Sequence, residues 1–153
     1  MAVEFFKPLV SDIETMQELV KEEVETGTIL LRTQDEMATT IRSYTGVKVD
    51  GVLAGFCALH IHSPKLAEIR SLIVSGEFRG RKLGKYLVEH CLTEGKRLGL
   101  KEILSLTYQK KFFEELNFKE ISKESLPEHK IWADCIRCKH FPVCDEIALL
   151  YKL

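Results

Sequence analysis

The sequence predicts an α+β fold, a mixed and mostly antiparallel sheet with helices on both faces. Two observations carry this. The elements read in the order βααββ, then β-loop-helix-β, then αβ and a terminal β. Asp50-Gly51, between two strand-like runs, is a strong short signal for a tight antiparallel hairpin. There are no repeats and no linker long enough to divide the chain, so residues 1–153 are expected to form a single domain.

The first strand runs from Val3 to Lys7 and stops at Pro8. "SDIE" opens a helix with Ser11 as cap and Glu14 as its capping-box partner, and Gly27 lies just past its end. "TQDE" repeats the device, with Thr33 as cap and Glu36 as partner, for a shorter helix to about Ser43. "TGVKVDGVLAGFCALHIH" gives the two hairpin strands. "AEIRSLIV" is the next strand, and strict alternation places Glu68, Arg70, Leu72 and Val74 on one face. Leu83, Leu87, Cys91 and Leu98 then recur at helical spacing up to Gly99. "KEILSLT" is a strand, "KKFFEELNF" a short helix running into a strand, and "DEIALLYKL" the last strand.

Composition restricts the function classes. An apolar share of 45% and a net charge of −1 fit an ordinary globular protein. They argue against a dedicated nucleic-acid or membrane binder, whose footprint is broadly basic. No apolar run approaches the roughly 20 residues of a membrane helix. Five cysteines without an export signal suggest free thiols in the cytoplasm.

The stretch that calls for explanation is "VSGEFRGRKLGKYLVEH". Its glycines Gly80 and Gly84 have three residues between them and Tyr86 follows Lys85, so the triphosphate-binding Walker A pattern fails. A strand, a loop of exposed amides and a helix starting near Lys82 still make an anion site, because unpaired N–H groups and the helix dipole favour negative charge. Arg79, Arg81, Lys82 and Lys85 add formal charge; a solvated cationic helix start is the bland alternative.

"EFRGRKLGKYLVE" after "EIRSLIV" resembles the acetyl-CoA loop of the GNAT N-acetyltransferase superfamily, whose pattern is Arg/Gln-x-x-Gly-x-Gly/Ala. Arg79 matches the first position and Gly84 the last, while Lys82 stands where that family usually has glycine. The resemblance implies the GNAT acyl-CoA N-acyltransferase fold and acetyl-CoA as cosubstrate. It also implies that the preceding strand splays open around the pantetheine arm. The cofactor-binding set so implied is Ile73, Val74, Arg79, Gly80, Arg81, Lys82, Leu83, Gly84 and Lys85.

Acetyl transfer to an amine requires an acceptor for the amine's proton and stabilisation of an oxyanion. Glu68 in "AEI" matches the catalytic glutamate of histone-type members; the alternative is a strand-face ion pair with Arg70. Where many members carry a tyrosine acid, "FEELNF" has Phe113, with Asn117 in place of a glycine, which leaves Thr107 and Tyr108 as nearby substitutes.

"GTILLRTQDEM", "AEIRSLIVSGEFRGRKLG", "LTYQKKFFEELNF", "SLPEHKIWADC" and "FPVCDEIALLYKL" together resemble the acetyltransferase domain of bacterial N-acetylglutamate synthases. That implies L-glutamate as the amine substrate and arginine biosynthesis as the setting. Arg32, Lys65, Arg70 and Arg137 are then candidates to hold carboxylates, arginine best through its planar fork. Such synthases carry a preceding kinase-like domain that binds arginine. Here arginine control is expected to be absent, internal, or supplied by a separate arginine-sensing partner chain, and a homodimer is left open.

"DCIRCKHFPVCDE" sets Cys135, Cys138, His140 and Cys144 within ten residues, a zinc-like but crowded spacing. A buried thiol cluster or one labile disulfide competes, and no metal is assigned. His60 and His62 are expected to pack or face solvent, and Trp132 to anchor core. A zinc-stabilised interaction module is the rival reading from another class.

Overall fold

The computed structural model describes residues 2–122, 125 and 146–153. Seven strands form one sheet in the order β1-β2-β3-β4-β5-β7-β6. They are β1 Val3–Phe6, β2 Tyr44–Val49, β3 Val52–Ile61, β4 Leu66–Val74, β5 Glu102–Thr107, β6 Lys119–Ile121 and β7 Ile147–Lys152. Every neighbouring pair is antiparallel except β4 and β5. That parallel pair is joined by the long helix α4, Leu83–Arg97, because parallel neighbours need a crossover. The helices before it are α1 Ile13–Leu19, α2 Lys21–Glu25 and α3 Gln34–Thr39, and α5 Lys110–Glu115 follows.

The two sheet faces bury separate clusters. On one, Leu83, Leu87, Val88 and Cys91 of α4 pack on Val47, Val49, Ala67, Ile69, Ile103 and Leu149. On the other, Ile13, Met16, Val20 and Met37 from the first three helices cover Tyr44, Phe56, Ala58 and Ile73. Helices therefore lie on both faces, as the sequence predicts.

Local signals are kept with three corrections. Thr33 caps α3: its hydroxyl accepts from the Glu36 amide at 3.1 Å and the Glu36 carboxylate accepts from the Thr33 amide at 3.2 Å. Asp50 and Gly51 both have positive φ, 50° and 80°, the twist that suits a two-residue hairpin. The first helical stretch differs. It begins with a 3₁₀ turn at Val10–Asp12, so the reach-back partner is Asp12, accepting from the Leu9 amide at 2.8 Å, rather than Glu14 serving Ser11. It also breaks at Val20, giving α1 and α2 as separate pieces. Leu98 is 49% exposed, because the helix ends there and the chain folds back to bury Leu100 instead. Asn117 takes φ 72° just beyond α5, filling the left-handed position that the expected glycine would occupy.

Candidate active site

The alternation expected of β4 does not persist. Ala58 pairs with Arg70 but Phe56 pairs with Ile73, so Cys57 faces two residues of β4, Ser71 and Leu72. Ser71 adopts φ 56°, unusual for a non-glycine residue in a strand. This bulge reverses the faces. Leu72 and Val74 join Ala67 and Ile69 against α4, and Ile73 turns to the other face, leaving Glu68 and Arg70 without Leu72 and Val74 as face-mates. Just past the bulge, where Gly55 pairs with Val74, a Cβ on Gly55 would lie 2.5 Å from the Ile73 carbonyl oxygen, so a bare backbone is needed for β3 to close on β4 here.

The same region opens the sheet. β4 and β5 pair only from Leu66↔Glu102 to Ile69↔Ser105, although β4 runs on to Val74 and β5 to Thr107. Two parallel strands diverging in this way leave a wedge with peptide groups along its sides. Thr107 stands at its β5 side, half-buried, with its hydroxyl accepting from the Gln109 amide at 2.9 Å. Tyr108 follows, 39% exposed.

At the wide end of the wedge lies the cationic loop. After a 3₁₀ turn at Gly76–Phe78, Arg79 is extended and its Nε donates to the Val74 carbonyl at 3.3 Å. Gly80 takes φ 84° and Lys82, the N-cap of α4, takes φ 61°. Lys82 thus holds the left-handed conformation that glycine would adopt without strain. Tyr86 N–H to Lys82 C=O, 3.1 Å, closes the first turn of α4, so the amides of Leu83, Gly84 and Lys85 precede any intrahelical partner. Arg81 lies over the Phe78 ring at 5.4 Å. A Cβ at Gly84 would meet only ordinary contacts, 3.5 Å to Phe112 and 3.7 Å to Val74, whereas Gly80 is required by its dihedral. Outward amides, fixed cations and open space over Gly80 fit a diphosphate, and the wedge continues from there toward the bulge.

Glu68 is 7% exposed, so it is no surface carboxylate. His62 Nε2 lies 2.8 Å from its Oε1 and Arg70 Nε donates to the same oxygen at 3.2 Å. The His62, Glu68 and Arg70 side chains are 4%, 9% and 13% exposed. The expected ion pair with Arg70 is present, but on a buried carboxylate rather than an exposed strand face. His62, expected only to pack or face solvent, binds Glu68, and its ring packs edge-on to His60 at 4.9 Å. The signal was present in the sequence. His60 pairs directly with Glu68 across the short "HSPK" turn, which brings the next even-numbered histidine to the same carboxylate.

On the Glu68 face, a cavity of about 530 Å³ reaches Ser71 of the bulge and is lined by Gln17, Arg32, Tyr44 and Phe56 among others. Gln17 Nε2 donates to the Arg32 carbonyl at 3.1 Å, tying the segment before α3 to α1. The Arg32 guanidinium, 16% exposed, lies 4.0 Å from the Glu36 carboxylate. Burial pushes the Tyr44 phenol up in pKa, opposed by the nearby Arg32 and Arg70 cations and a hydrogen bond with Thr40. The sequence reading missed Tyr44 and the α1–α2 lining because neither carries a motif. Lys65 is not brought to this group. It is exposed in the β3–β4 turn, six residues from Ser71 or roughly 20 Å along the strand, with its carbonyl accepting from Lys101 and Glu102. Arg137, Trp132 and the cluster of Cys135, Cys138, His140 and Cys144 lie outside the described residues. Among the described residues no group of three or more His, Cys, Asp or Glu is placed to hold a metal. No helix among them is long and apolar enough to cross a membrane.

Comparison with known proteins agrees with this arrangement. An uncharacterized N-acetyltransferase of Chlorobaculum tepidum is 39% identical over 127 residues, 83% of this chain and 81% of its relative. The amino-acid acetyltransferase of Vibrio cholerae is 26% identical over 79% of this chain but only 28% of its own length. The N-acetylglutamate synthase of Neisseria gonorrhoeae, complexed with coenzyme A and N-acetyl-glutamate, superposes with a TM-score of 0.87 at 23% identity. It covers all of this chain and 35% of its own. A Mycobacterium tuberculosis protein in complex with CoA and NLQ gives 0.82 at 20% identity, covering 98% and 99% of the two chains. The sequence model of the acetyltransferase (GNAT) family matches residues 10–118, and the chain belongs to that family.

Proposed function

We propose that the protein transfers acetyl from acetyl-CoA to the α-amine of L-glutamate, by direct attack with both substrates bound. N-acetyl-L-glutamate, an intermediate of arginine biosynthesis, is then the product. The observation that carries this reading is the junction at Ser71, where the Arg32-lined cavity on one side meets the β4–β5 wedge leading to the cationic loop on the other. Relatives named amino-acid acetyltransferase support the amino-acid class.

Acetyl-CoA supplies the acetyl group as an activated thioester. The amides of Leu83, Gly84 and Lys85, with Arg79, Gly80, Arg81 and Lys82, hold its diphosphate. The backbone of Ile73 and Val74, where β4 has parted from β5, lines the pantetheine channel. Arg32 orients a substrate carboxylate, and Glu68 accepts the proton of the ammonium, which at neutral pH carries it for most of the time. Thr107 and Tyr108, at the β5 side of the wedge, serve the departing thiolate.

A second reading has its own observation. Glu14, Glu18 and Glu25 line the cavity beside Lys21 and Arg32, a rim with one more carboxylate than cations. That rim suits a small amine bearing a further positive charge. A panel of amino acids and small amines, followed by acetyl-CoA-dependent thiol release, separates the two. Glutamate is expected to give the highest kcat/KM. Release with cationic amines and none with glutamate would replace the first reading by the second.

A further inference from the structure

The mechanism above uses Glu68 but gives no role to the buried histidine that touches it. His62 sits one residue beyond β3, in a turn closed from several sides. Its own amide and that of Ser63 donate to the Leu66 carbonyl at 2.9 and 3.1 Å, and the Ser63 hydroxyl accepts from the Lys65 and Leu66 amides at 3.2 and 3.1 Å. The imidazole is thus delivered to Glu68 by a rigid backbone, and at 4% exposure it has little room to leave. A side chain buried to this extent and held at 2.8 Å from a carboxylate is a structural commitment.

The geometry at Glu68 is asymmetric. The contacts of His62 and Arg70 both fall on Oε1, and neither uses Oε2. Among the described residues, the ionisable groups that face the carboxylate are His60 on β3, His62 after it and Arg70 on β4, while β5 presents the apolar Leu104. Beyond Arg70, the phenol of Tyr44 on β2 feels both that cation and Arg32. Two contacts on one oxygen fix the plane of the group and leave the other oxygen's lone pairs for the substrate.

We propose that His62 is a positioning residue for proton transfer. Through Nε2–H it joins Arg70 in pinning Oε1 of Glu68, so that Oε2 is the atom that receives the amine proton. No bond to carbon is made or broken by His62, and the proton moves from the substrate nitrogen to Oε2. The inference rests on the reading of Glu68 as base, which Glu68→Gln tests separately.

Two measurements decide it. A long-range proton–nitrogen spectrum of the histidine rings, with His62 assigned by the signals lost in His62→Gln, is expected to show the proton on Nε2; a bare Nε2 overturns the proposal whatever the substrate proves to be. The second is the pH profile of kcat/KM with acetyl-CoA and L-glutamate. His62→Phe removes the donor and is expected to lower kcat/KM by about tenfold or more and to move the acidic limb to higher pH. His62→Gln, which keeps an N–H, is expected to recover most of the loss. The limb position does not depend on how much enzyme is folded, so poor yield of His62→Phe does not blur the result. Wild-type turnover and limb in His62→Phe, or equal damage in both variants at an unmoved limb, overturns the proposal while leaving Glu68 as base. Full activity in Glu68→Gln removes both.

Discussion

Replacing Gly80 by alanine isolates the backbone's share in the loop. A Cβ built there meets nothing within 4 Å, so sterics with neighbours contribute nothing and the whole effect comes from φ 84°. Holding an L-residue in that region costs about 1–2 kcal/mol. Two outcomes share that cost. If the loop keeps its conformation, the folded protein loses the full amount, and for a chain of this length Tm falls by about 2–8 °C. If the loop relaxes instead, Tm is preserved, and CoA must restore the shape on binding, which weakens Kd by about 5- to 30-fold. Thermal melting with and without CoA, together with calorimetric titration, measures both quantities on one sample. Gly51→Ala is the control: its φ is 80° with equally empty surroundings, but it lies in the β2–β3 turn. It should lower Tm similarly and leave CoA affinity unchanged. Gly80→Ala with wild-type Tm and wild-type Kd would refute the link between this dihedral and the cofactor cradle.

Three other substitutions address separate parts of the site. Arg32→Ala should raise the KM for glutamate by about 10- to 100-fold, the worth of a charge-assisted hydrogen bond, with CoA affinity within about twofold of wild type; steady-state kinetics and CoA titration check this. Glu68→Gln should lower kcat/KM more at neutral pH than near pH 9, where more of the α-amine is already neutral; a parallel loss across the pH range removes Glu68 as base. The Cys57 thiol, 3.3 Å from Cys91 and fully buried, is pushed up in pKa by that hydrogen bond and then by burial. A raised folded value means stability is full below the ordinary thiol range and is lost as pH rises toward the folded value. Tm should therefore decline above about pH 8.5, and less steeply in Cys57→Ala, by melts across alkaline buffers.

Most of the architecture was legible because it is encoded locally. Asp50-Gly51 can close a tight hairpin with little strain, Thr33 and Glu36 satisfy each other's amides three residues apart, and Leu83, Leu87 and Cys91 define one helix face. What could not be read had no local cause. The bulge at Ser71 arises because β3 and β4 accommodate one extra residue between two registers that are each individually regular. Nothing in "RSLIV" announces it, and a period-two reading necessarily carries Leu72 and Val74 to the wrong face. The His62–Glu68 contact is the opposite case. It was derivable from the hairpin register, but a histidine next to a turn is by default a surface residue, and that default prevailed.

The bulge and the split are also two consequences of one conflict. Ala67 and Ile69 must face α4 to close the core, and Leu72 and Val74 must do so again where α4 begins, yet strict alternation allows only one of these pairs. Inserting Ser71 satisfies both. It does so by turning the backbone at the point where β4 would otherwise continue its ladder with β5, and the pairing ends at Ile69, two residues earlier. The requirement that buries the helix thus opens the sheet. Because Glu68 and Arg70 precede the insertion, they stay on the cavity face. Glu68 thus lies on the cavity face one residue before β4 leaves β5, and the start of α4 packs on the opposite face where the strands part.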